Sequence, residues 1–286
     1  MHRVYSSVDE RYVNPLFEVF DGGDFALSSW RDVEASRTEV GIYFEDAGRI
    51  GEAREALASA LALVGAGGAA IEECEVADED WRFSYRRHFK TERIGRRLIV
   101  RPPWEEAPED AEGRVIVTLD PGLAFGTGKH ETTRACLEYL DELAGEGGSM
   151  LDMGCGSGIL SIAALLLGYS PVAGFDVDEE AVRVARENAS ANGADAVSYY
   201  HFALGLGKSA PRDYDIVVAN ILGPLLIRFA KEIAPYARRQ LIISGILTEL
   251  YPEVLASYEA LGFREVSSRT IGEWKTGLLA RKGSLS

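Results

Sequence analysis

Short apolar runs alternate with stretches of helical periodicity from residue 113 to residue 286. The apolar runs predict strands at 149–153, 171–176, 197–202, 214–219 and 240–244, and two more between 263 and 281 around Gly272. Strands that alternate with helices are typical of a parallel sheet covered by helices on both faces. The pattern therefore predicts an α/β domain over residues 113–286.

The stretch from 178 to 192 has the clearest helical pattern of this domain. Its apolar positions recur at spacings of three and four residues, which places Val184 and Ala185 on one helix face. Acidic residues at its start favour a helix N-terminus, and the pair Asn192-Gly193 favours its end. We therefore expect one helix over this stretch.

The first 78 residues carry shorter patterns of both kinds. Alternation over 38–44 predicts a strand, helical spacing predicts a helix over 52–64, and the apolar start of 71–76 predicts another strand. Strands and helices in such close succession predict a small α+β domain of ferredoxin-like type over residues 1–78. A chain of 286 residues is long enough for this domain beside the larger one.

Residues 79–112 are predicted to be a linker between the two domains. From Arg86 to Arg101 this segment has seven Arg or Lys residues and the single acid Glu92. The run Arg-Pro-Pro-Trp at 101–104 interrupts any helix. The basic residues either contact RNA or pair with acidic surfaces of the protein, and the second interpretation is favoured because charge runs are usually solvated or paired.

The overall charge narrows the classes of partner. The chain has 30 Lys and Arg residues against 45 Asp and Glu residues, so its net charge is −15. Such a chain repels nucleic acid and anionic membranes, and it suits a basic protein partner. We therefore expect no stable nucleic-acid partner, no membrane association and a monomer.

The three cysteines, Cys74, Cys136 and Cys155, are far apart in the sequence. Their spacing matches neither a disulfide framework nor a zinc pattern, so we expect free thiols in a reducing compartment and no metal site. The first residues lack the apolar core of a signal peptide, and the longest uncharged run, 56–71, is short for a membrane span. These features predict a cytoplasmic protein.

A glycine-rich turn follows the first central strand. The glycines Gly154, Gly156 and Gly158 let the backbone approach a ligand, and Asp176 ends the next strand, where its carboxylate can accept hydrogen bonds from ribose hydroxyls. Three glycines alone would indicate only a turn. Their spacing, with Asp152 two positions before the first, resembles class I S-adenosylmethionine methyltransferases and not dinucleotide-binding enzymes. Gly154, Gly156 and Asp176 are therefore candidate cofactor contacts.

A second glycine-rich loop, at 119–131, runs into a predicted helix. Hydroxyls and free N–H groups at a helix start can bind a carboxylate when the loop closes over a ligand. Phe125, Gly126 and Thr132 are candidate cofactor contacts on this basis. The residues support equally well an ordinary loop in which Thr132 or Thr133 caps the helix.

Asn220 follows the predicted strand at 214–219 and belongs to the carboxyl edge of the sheet, where ligands bind in this architecture. Its carbonyl can accept a hydrogen bond from an attacking amine, which makes it the candidate catalytic residue. Enzymes that methylate base amines usually place an aromatic residue shortly after such an Asn, whereas Ile221, Leu222 and Gly223 follow here. An aliphatic amine is the favoured substrate, and a polar strand-end cap is the alternative role of Asn220.

Four segments together resemble one family, the methyltransferases of ribosomal large-subunit protein eleven, the PrmA type. They lie at 80–104, at 119–133, at 154–162 with 175–178, and at 218–222 with 244–247. The sequence Asp-Pro-Gly-Leu-Ala-Phe-Gly-Thr-Gly in the second segment is far more specific than the glycine turn. The resemblance extends over roughly residues 80–282 and implies a Rossmann-like class I methyltransferase sheet.

The resemblance also implies the functional residues and the substrate. In that family the positions of Thr133, Gly154, Asp176 and Asn220 bind S-adenosylmethionine, and the small N-terminal domain recognises the substrate. The family methylates lysine and N-terminal amino groups of a ribosomal protein. Residues 200–203 lack the acid that many such enzymes place near adenine, so we expect backbone and apolar contacts there. Methylation of another protein lysine or of RNA, and cofactor binding without catalysis, are the alternatives.

Overall fold

The computed structural model describes residues 2–20, 25, 27–32, 37–44, 46–75, 89–109, 111–120, 131–204 and 213–283. The chain divides into two compact units, residues 1–88 and 89–286. The predicted linker, residues 79–112, lies partly outside the described residues, and its part from residue 89 onward belongs to the second unit.

The first unit is a four-stranded antiparallel sheet with two helices. Its elements are β1 (His2–Val8), α1 (Val13–Phe20), β2 (Leu27–Asp32), β3 (Arg37–Phe44), α2 (Ile50–Leu63) and β4 (Ile71–Glu75), with single 3-10 turns at Glu10–Tyr12 and Ala47–Arg49. The strand order is β2-β3-β1-β4. This βαββαβ sequence of elements is the one found in ferredoxin-like folds. The two predicted strands and the predicted helix of this segment are confirmed to within two residues at each end.

The core of the first unit follows from the two periodicities of its elements. Val4 of β1 and Ile42 of β3 are fully buried and pair in register, while Arg3, Tyr5 and Tyr43 on the other sheet face remain partly exposed. Leu57 and Leu61, four residues apart on α2, pack on the same side of the sheet. This arrangement buries one sheet face under one stripe of each helix.

The second unit begins with a small three-stranded sheet. Its strands are β5 (Glu92–Ile94), β6 (Leu98–Arg101) and β7 (Val115–Thr118), in the order β5-β6-β7. Strands this short carry too few residues to show a periodicity, and for that reason the sequence pattern does not reveal them.

Basic residues near this small sheet are bound within the second unit. Lys90 pairs with Glu105 at 3.1 Å, and Arg97 Nε pairs with the buried Asp141 at 2.9 Å. Arg101 donates to the carbonyl oxygen of Glu105. The basic residues of the predicted linker were expected either to contact RNA or to pair within the protein, and these contacts support pairing within the protein.

The main sheet of the second unit has seven strands. They are β8 (Met150–Met153), β9 (Val172–Asp176), β10 (Ser198–His201), β11 (Tyr214–Asn220), β12 (Ala237–Leu247), β13 (Phe263–Ile271) and β14 (Trp274–Arg281). Their order is β10-β9-β8-β11-β12-β14-β13, parallel from β10 to β12 and antiparallel for the last two. All seven predicted strands are confirmed.

Helices cover both faces of this sheet, as the predicted α/β class requires. They are α3 (Glu131–Leu143), α4 (Ile159–Leu166), α5 (Glu179–Ala191), α6 (Gly223–Arg228), α7 (Ala230–Ile233) and α8 (Tyr251–Glu259), with 3-10 turns at Ala144–Glu146 and Ala234–Tyr236. On β11, Ile216 and Val218 pack under α3, α4 and α5, whereas Val217 and Ala219 pack under α6, α7 and α8. No helix in the described ranges is long and apolar enough to cross a membrane.

The order of strands reverses beside β8, because β9 and β10 lie on one side of it and β11 and β12 on the other. Ligands bind at such a switch point, outside the carboxyl ends of the strands. Met153 of β8 is in register with Phe175 of β9 and with Ala219 of β11. The segments that follow these three residues therefore meet at one edge of the sheet.

Candidate active site

A cavity of about 670 Å³ runs along the carboxyl edge of the main sheet. It extends from Phe202, after β10, to Trp274, at the start of β14. Its volume lies in the range of about 300–1,000 Å³ that is usual for small-molecule sites. Of the predicted site residues, Thr132, Gly154, Gly156, Asp176 and Asn220 line it together.

The glycine turn forms the floor of the cavity beside β8. Gly154 and Gly156 have left-handed backbones, with φ of +72° and +50°, and such angles favour glycine. The N–H of Gly154 donates to the carbonyl oxygen of Phe175 at 2.9 Å. A Cβ on Gly154 would lie 2.6 Å from Cγ2 of Ile221, so glycine allows the close approach of the segments that follow β8 and β11.

Asp176 is held by the backbone on both sides. Its Oδ2 accepts from the N–H of Gly156 at 2.9 Å, and its Oδ1 accepts from the N–H of Asp178 at 3.1 Å. A carboxylate oxygen can accept more than one hydrogen bond, so both oxygens keep acceptor capacity. The arrangement presents an oriented acceptor pair to a diol.

Asp152 lies under the glycine turn and is fully buried. Its Oδ2 accepts from the N–H of Ser161 at 3.2 Å, while Oδ1 has no hydrogen-bond partner among the described residues. Burial raises the pKa of Asp152 from its ordinary value to about 7, and the nearby charge of Asp176 acts in the same direction. Asp152 does not line the cavity, so it supports the turn from below.

Asn220 ends β11, in register with Ser244 of β12. Its Nδ2 donates to Oγ1 of Thr133 at 3.4 Å, and this contact joins β11 to the start of α3. Thr133 is only 1% exposed and lies behind Asn220, whereas its neighbour Thr132 lines the cavity. The Ser244 hydroxyl donates to the Thr132 carbonyl at 3.3 Å and therefore fixes the same helix start.

The walls of the cavity are apolar. Phe202 stands edge-on to Phe175 with ring centroids 5.0 Å apart, and Leu204 continues the wall after β10. Val177 and Leu222 also line the cavity although 69% and 62% of their surfaces are exposed. Large apolar residues left open to solvent inside a cavity indicate a ligand with flat apolar surfaces. Residues 202–204 line this wall and are all apolar.

Several residues that line the cavity are not identifiable from the sequence. The structure places Trp274 both in β14 and in the cavity wall with Gly245 and Leu225. No local signal identifies these residues, because their position depends on the pairing of β14 with β12. Phe125, Gly126 and His130 of the second glycine-rich loop lie outside the described residues.

No group of three or more His, Cys, Asp or Glu side chains in the described ranges could hold a metal ion. The described lining of the cavity includes one carboxylate, Asp176, and one cation, Arg228. The glycine turn, the oriented carboxylate of Asp176 and the apolar walls together suit an adenosine-containing ligand. Such a ligand need not carry a phosphate to bind in this fold.

The sequence matches the family model described as "Ribosomal protein L11 methyltransferase (PrmA)" over residues 23–282. A protein named ribosomal protein L11 methyltransferase from Caldanaerobacter subterraneus subsp. tengcongensis is 40% identical over 223 residues, which cover 77% of this chain and 71% of that protein. Another of the same name, from Alkaliphilus metalliredigens, is 33% identical over 285 residues, which cover 97% and 89%.

A solved structure supports the same similarity. The crystal structure of ribosomal protein L11 methylase from Lactobacillus delbrueckii subsp. bulgaricus superposes with a TM-score of 0.63 at 29% sequence identity. The match covers 68% of this chain and all of that chain.

Proposed function

Because the chain belongs to the ribosomal protein L11 methyltransferase (PrmA) family, we propose that it transfers methyl groups from S-adenosylmethionine to amino groups of ribosomal protein L11. The predicted family, fold class, methyltransferase activity and cofactor are confirmed by this membership. The observation that carries the proposal is the meeting of Gly154, Asp176 and Asn220 in one cavity. Lysine side chains and the N-terminal amine are the proposed acceptors because the family resemblance implies them, and the aliphatic residues after Asn220 suit an aliphatic amine.

The residues of the cavity fit the cofactor. When bound, S-adenosylmethionine supplies a methyl group that is already activated on a sulfonium sulfur. Asp176 accepts hydrogen bonds from the ribose hydroxyls, and the backbone at Gly154 and Gly156 lies against the ligand. Phe202 and Leu204 pack against the adenine, since apolar walls suit its flat faces.

The start of α3 and the preceding loop complete the proposed cofactor site. Thr132 contacts the cofactor from the cavity wall, and Thr133 acts beside Asn220. Phe125 and Gly126 remain proposed contacts on the basis of the sequence of the glycine-rich loop alone. The N–H groups at the start of α3 suit the cofactor carboxylate.

Asn220 orients the substrate amine. Its carbonyl oxygen accepts a hydrogen bond from the amine, so the nitrogen lone pair points along the line of transfer. A lysine amine has an ordinary pKa of about 10.4 and must lose a proton before it attacks. The apolar surroundings of Ile221 and Leu222 favour the neutral amine. Asn220 cannot remove the proton itself, because a carboxamide is not a base at neutral pH.

Residues 1–78 are the proposed substrate-recognition domain, and residues 79–112 are the proposed linker to the methyltransferase domain. The net charge of −15 supports this assignment, because ribosomal proteins bind RNA and are therefore basic. A ribosomal substrate also supports a cytoplasmic location. The protein is proposed to act as a monomer, without a stable nucleic-acid partner.

The test is mass spectrometry of purified ribosomal protein L11 after incubation with this protein and S-adenosylmethionine. We expect added mass in steps of one methylene, mapped to amino groups. The Asn220→Ala variant is the matched control. Its methyl transfer should fall on the order of 100-fold, as for the loss of one preorganised polar contact in other enzymes. Transfer to RNA with none to the protein would overturn the proposal.

A further inference from the structure

The cavity extends well beyond the part needed for adenosine. Asp176 is on β9, Asn220 on β11 and Trp274 on β14, and all three residues line the cavity. In the sheet, β11 is the second strand along from β9, and β14 is the second strand along from β11. Neighbouring strands are about 4.8 Å apart, so each step of two strands spans about 10 Å. The ribose acid and Trp274 therefore lie on opposite sides of Asn220.

The part of the cavity beyond Asn220 is here named the amine end, and it is lined by Thr132, Leu222, Gly245 and Trp274. Gly245 has a φ of +79°, and a Cβ at this position would overlap the carbonyl oxygen of Ile221. The backbone at Gly245 therefore lies close to that of Ile221, and no side chain at position 245 fills the amine end. Trp274 is half-buried and lines the cavity.

The amine end offers an aromatic surface and no carboxylate among its described residues. Asp176, the one carboxylate in the described lining, is four strand positions from Trp274, or about 19 Å. An indole face attracts a cation through its quadrupole, and it suits alkylated ammonium groups that water solvates poorly. The chemistry at this end therefore selects for an alkylated nitrogen cation.

We propose that Trp274 is a specificity-determining residue that binds the substrate nitrogen as it becomes positively charged. The proposal rests on the proposed function. During transfer the nitrogen lone pair forms the N–C bond while the C–S bond breaks. The electron pair of the broken C–S bond stays on sulfur. The positive charge passes from sulfur to nitrogen. A proton on that nitrogen then leaves to water, and the retained amine accepts another methyl group once a second S-adenosylmethionine has replaced S-adenosylhomocysteine.

A purely structural role for Trp274 gives a different expectation. Trp274 is the first residue of β14 and pairs in register with Leu247 and Ile271. If its indole only packs the strand start, its replacement changes stability and has no effect on the charge preference of the amine end. Leu247 provides the matched control, because it is the cross-strand neighbour of Trp274 and does not line the cavity.

The experiment is calorimetry with the full chain saturated with S-adenosylhomocysteine. The probes are acetyl-trimethyllysine amide and its neutral isostere, in which carbon replaces the charged nitrogen. We expect the wild-type chain to bind the cation about threefold to thirtyfold more tightly. Trp274→Leu should abolish this preference, Trp274→Phe should keep part of it, and Leu247→Ala should leave it unchanged. Equal binding of the two probes by the wild type, or an unchanged preference in Trp274→Leu, would overturn the proposal.

A second readout separates this proposal from the proposed function. On ribosomal protein L11, Trp274→Leu should shift the products toward fewer methyl groups per amine, while its affinity for S-adenosylhomocysteine stays within about twofold of wild type, because the adenosine end is untouched. Retained affinity also shows that the variant is folded. If the wild type does not methylate ribosomal protein L11, the proposed function fails, and the calorimetric preference still tests Trp274. An unchanged product distribution in a folded, active variant would contradict the role of Trp274.

Discussion

The side-chain amide of Asn220 donates from Nδ2 to Oγ1 of Thr133 at 3.4 Å, across 87 residues of sequence. An amide has two donors on nitrogen and an acceptor oxygen, and this contact uses the nitrogen side. The carbonyl oxygen remains to accept a hydrogen bond from the substrate amine. Thr133 therefore determines which end of the Asn220 amide faces the reaction.

Thr133→Val tests this relationship, because it keeps the branched shape of the side chain and removes its hydroxyl. We expect kcat for methyl transfer to fall about fivefold, since a hydrogen bond of this kind contributes about 1 kcal/mol. Thr133→Ser restores the hydroxyl and should recover most of the rate. Single-turnover kinetics at saturating cofactor measure the effect. A rate in Thr133→Val equal to that of wild type would show that Asn220 needs no such support.

Asp176→Ala should weaken cofactor binding by roughly 10- to 100-fold. Hydrogen bonds to a charged group contribute about 1.5–3 kcal/mol, and the substitution removes the acceptors for the ribose. Calorimetric titration with S-adenosylhomocysteine measures the dissociation constant. Asp178→Asn is the control: it removes the same charge two residues away and keeps an acceptor for the N–H of Glu180. Equal losses in both variants would indicate a general charge effect and not ribose binding.

Gly154→Ala should lower both stability and cofactor affinity. The left-handed backbone costs about 1–2 kcal/mol for a residue with a Cβ, and here that Cβ also meets Ile221 at 2.6 Å. Gly193 has a similar φ of +64° and open space around it, so Gly193→Ala should lose stability alone. Denaturant unfolding and cofactor titration of both variants check this difference. Normal affinity in Gly154→Ala would contradict the close packing at the glycine turn.

Asp152 makes stability depend on pH. Its folded pKa of about 7 lies above that of an unfolded Asp. Between about pH 4 and pH 7 the unfolded chain therefore releases this proton while the folded chain keeps it. The contribution of Asp152 to the free energy of unfolding falls as pH rises through this window, by up to about 1.4 kcal/mol per unit, and is constant above it.

Asp152→Asn removes the titration and keeps the size of the side chain. Relative to wild type, this variant should gain stability as pH rises from 5 to 7, and the difference should then level off. Denaturant unfolding at several pH values measures it. A constant difference across this range would mean that the folded chain holds Asp152 ionised.

Residue periodicity was sufficient to detect the strands of the main sheet, and it misplaced the ends of one of them, where tertiary contacts override local preference. The sequence predicts a strand at 240–244, whereas β12 extends over Ala237–Leu247. The charged residues at its start stay in the strand because Arg238 Nε bonds to Asp215 at 3.1 Å and Arg239 bonds to Glu146 at 2.8 Å. Such partners are distant in sequence, so no local pattern reveals them.

The candidate site divides in the same way. The glycine turn and Asp176 are visible in the sequence, because the backbone conformation needs glycine and the acid follows a buried strand. Asn220 is visible as the polar end of another strand. Thr132 lies in the cavity wall, whereas its neighbour Thr133 lies behind Asn220. The sequence does not show this difference, because it depends on how α3 packs against β11.

The sequence by itself determined the α/β class, the chain order of the main-sheet strands, the glycine turn and the acid that faces it, since all of these follow from local periodicity and backbone sterics. Only the tertiary structure decided which strand ends became neighbours, because strand pairing depends on burial shared by distant segments. That pairing inserts β14 between β12 and β13 and brings Trp274 to the far end of the cavity. It likewise sets Thr133 against Asn220, so the reactive geometry belongs to the folded chain and not to any one segment.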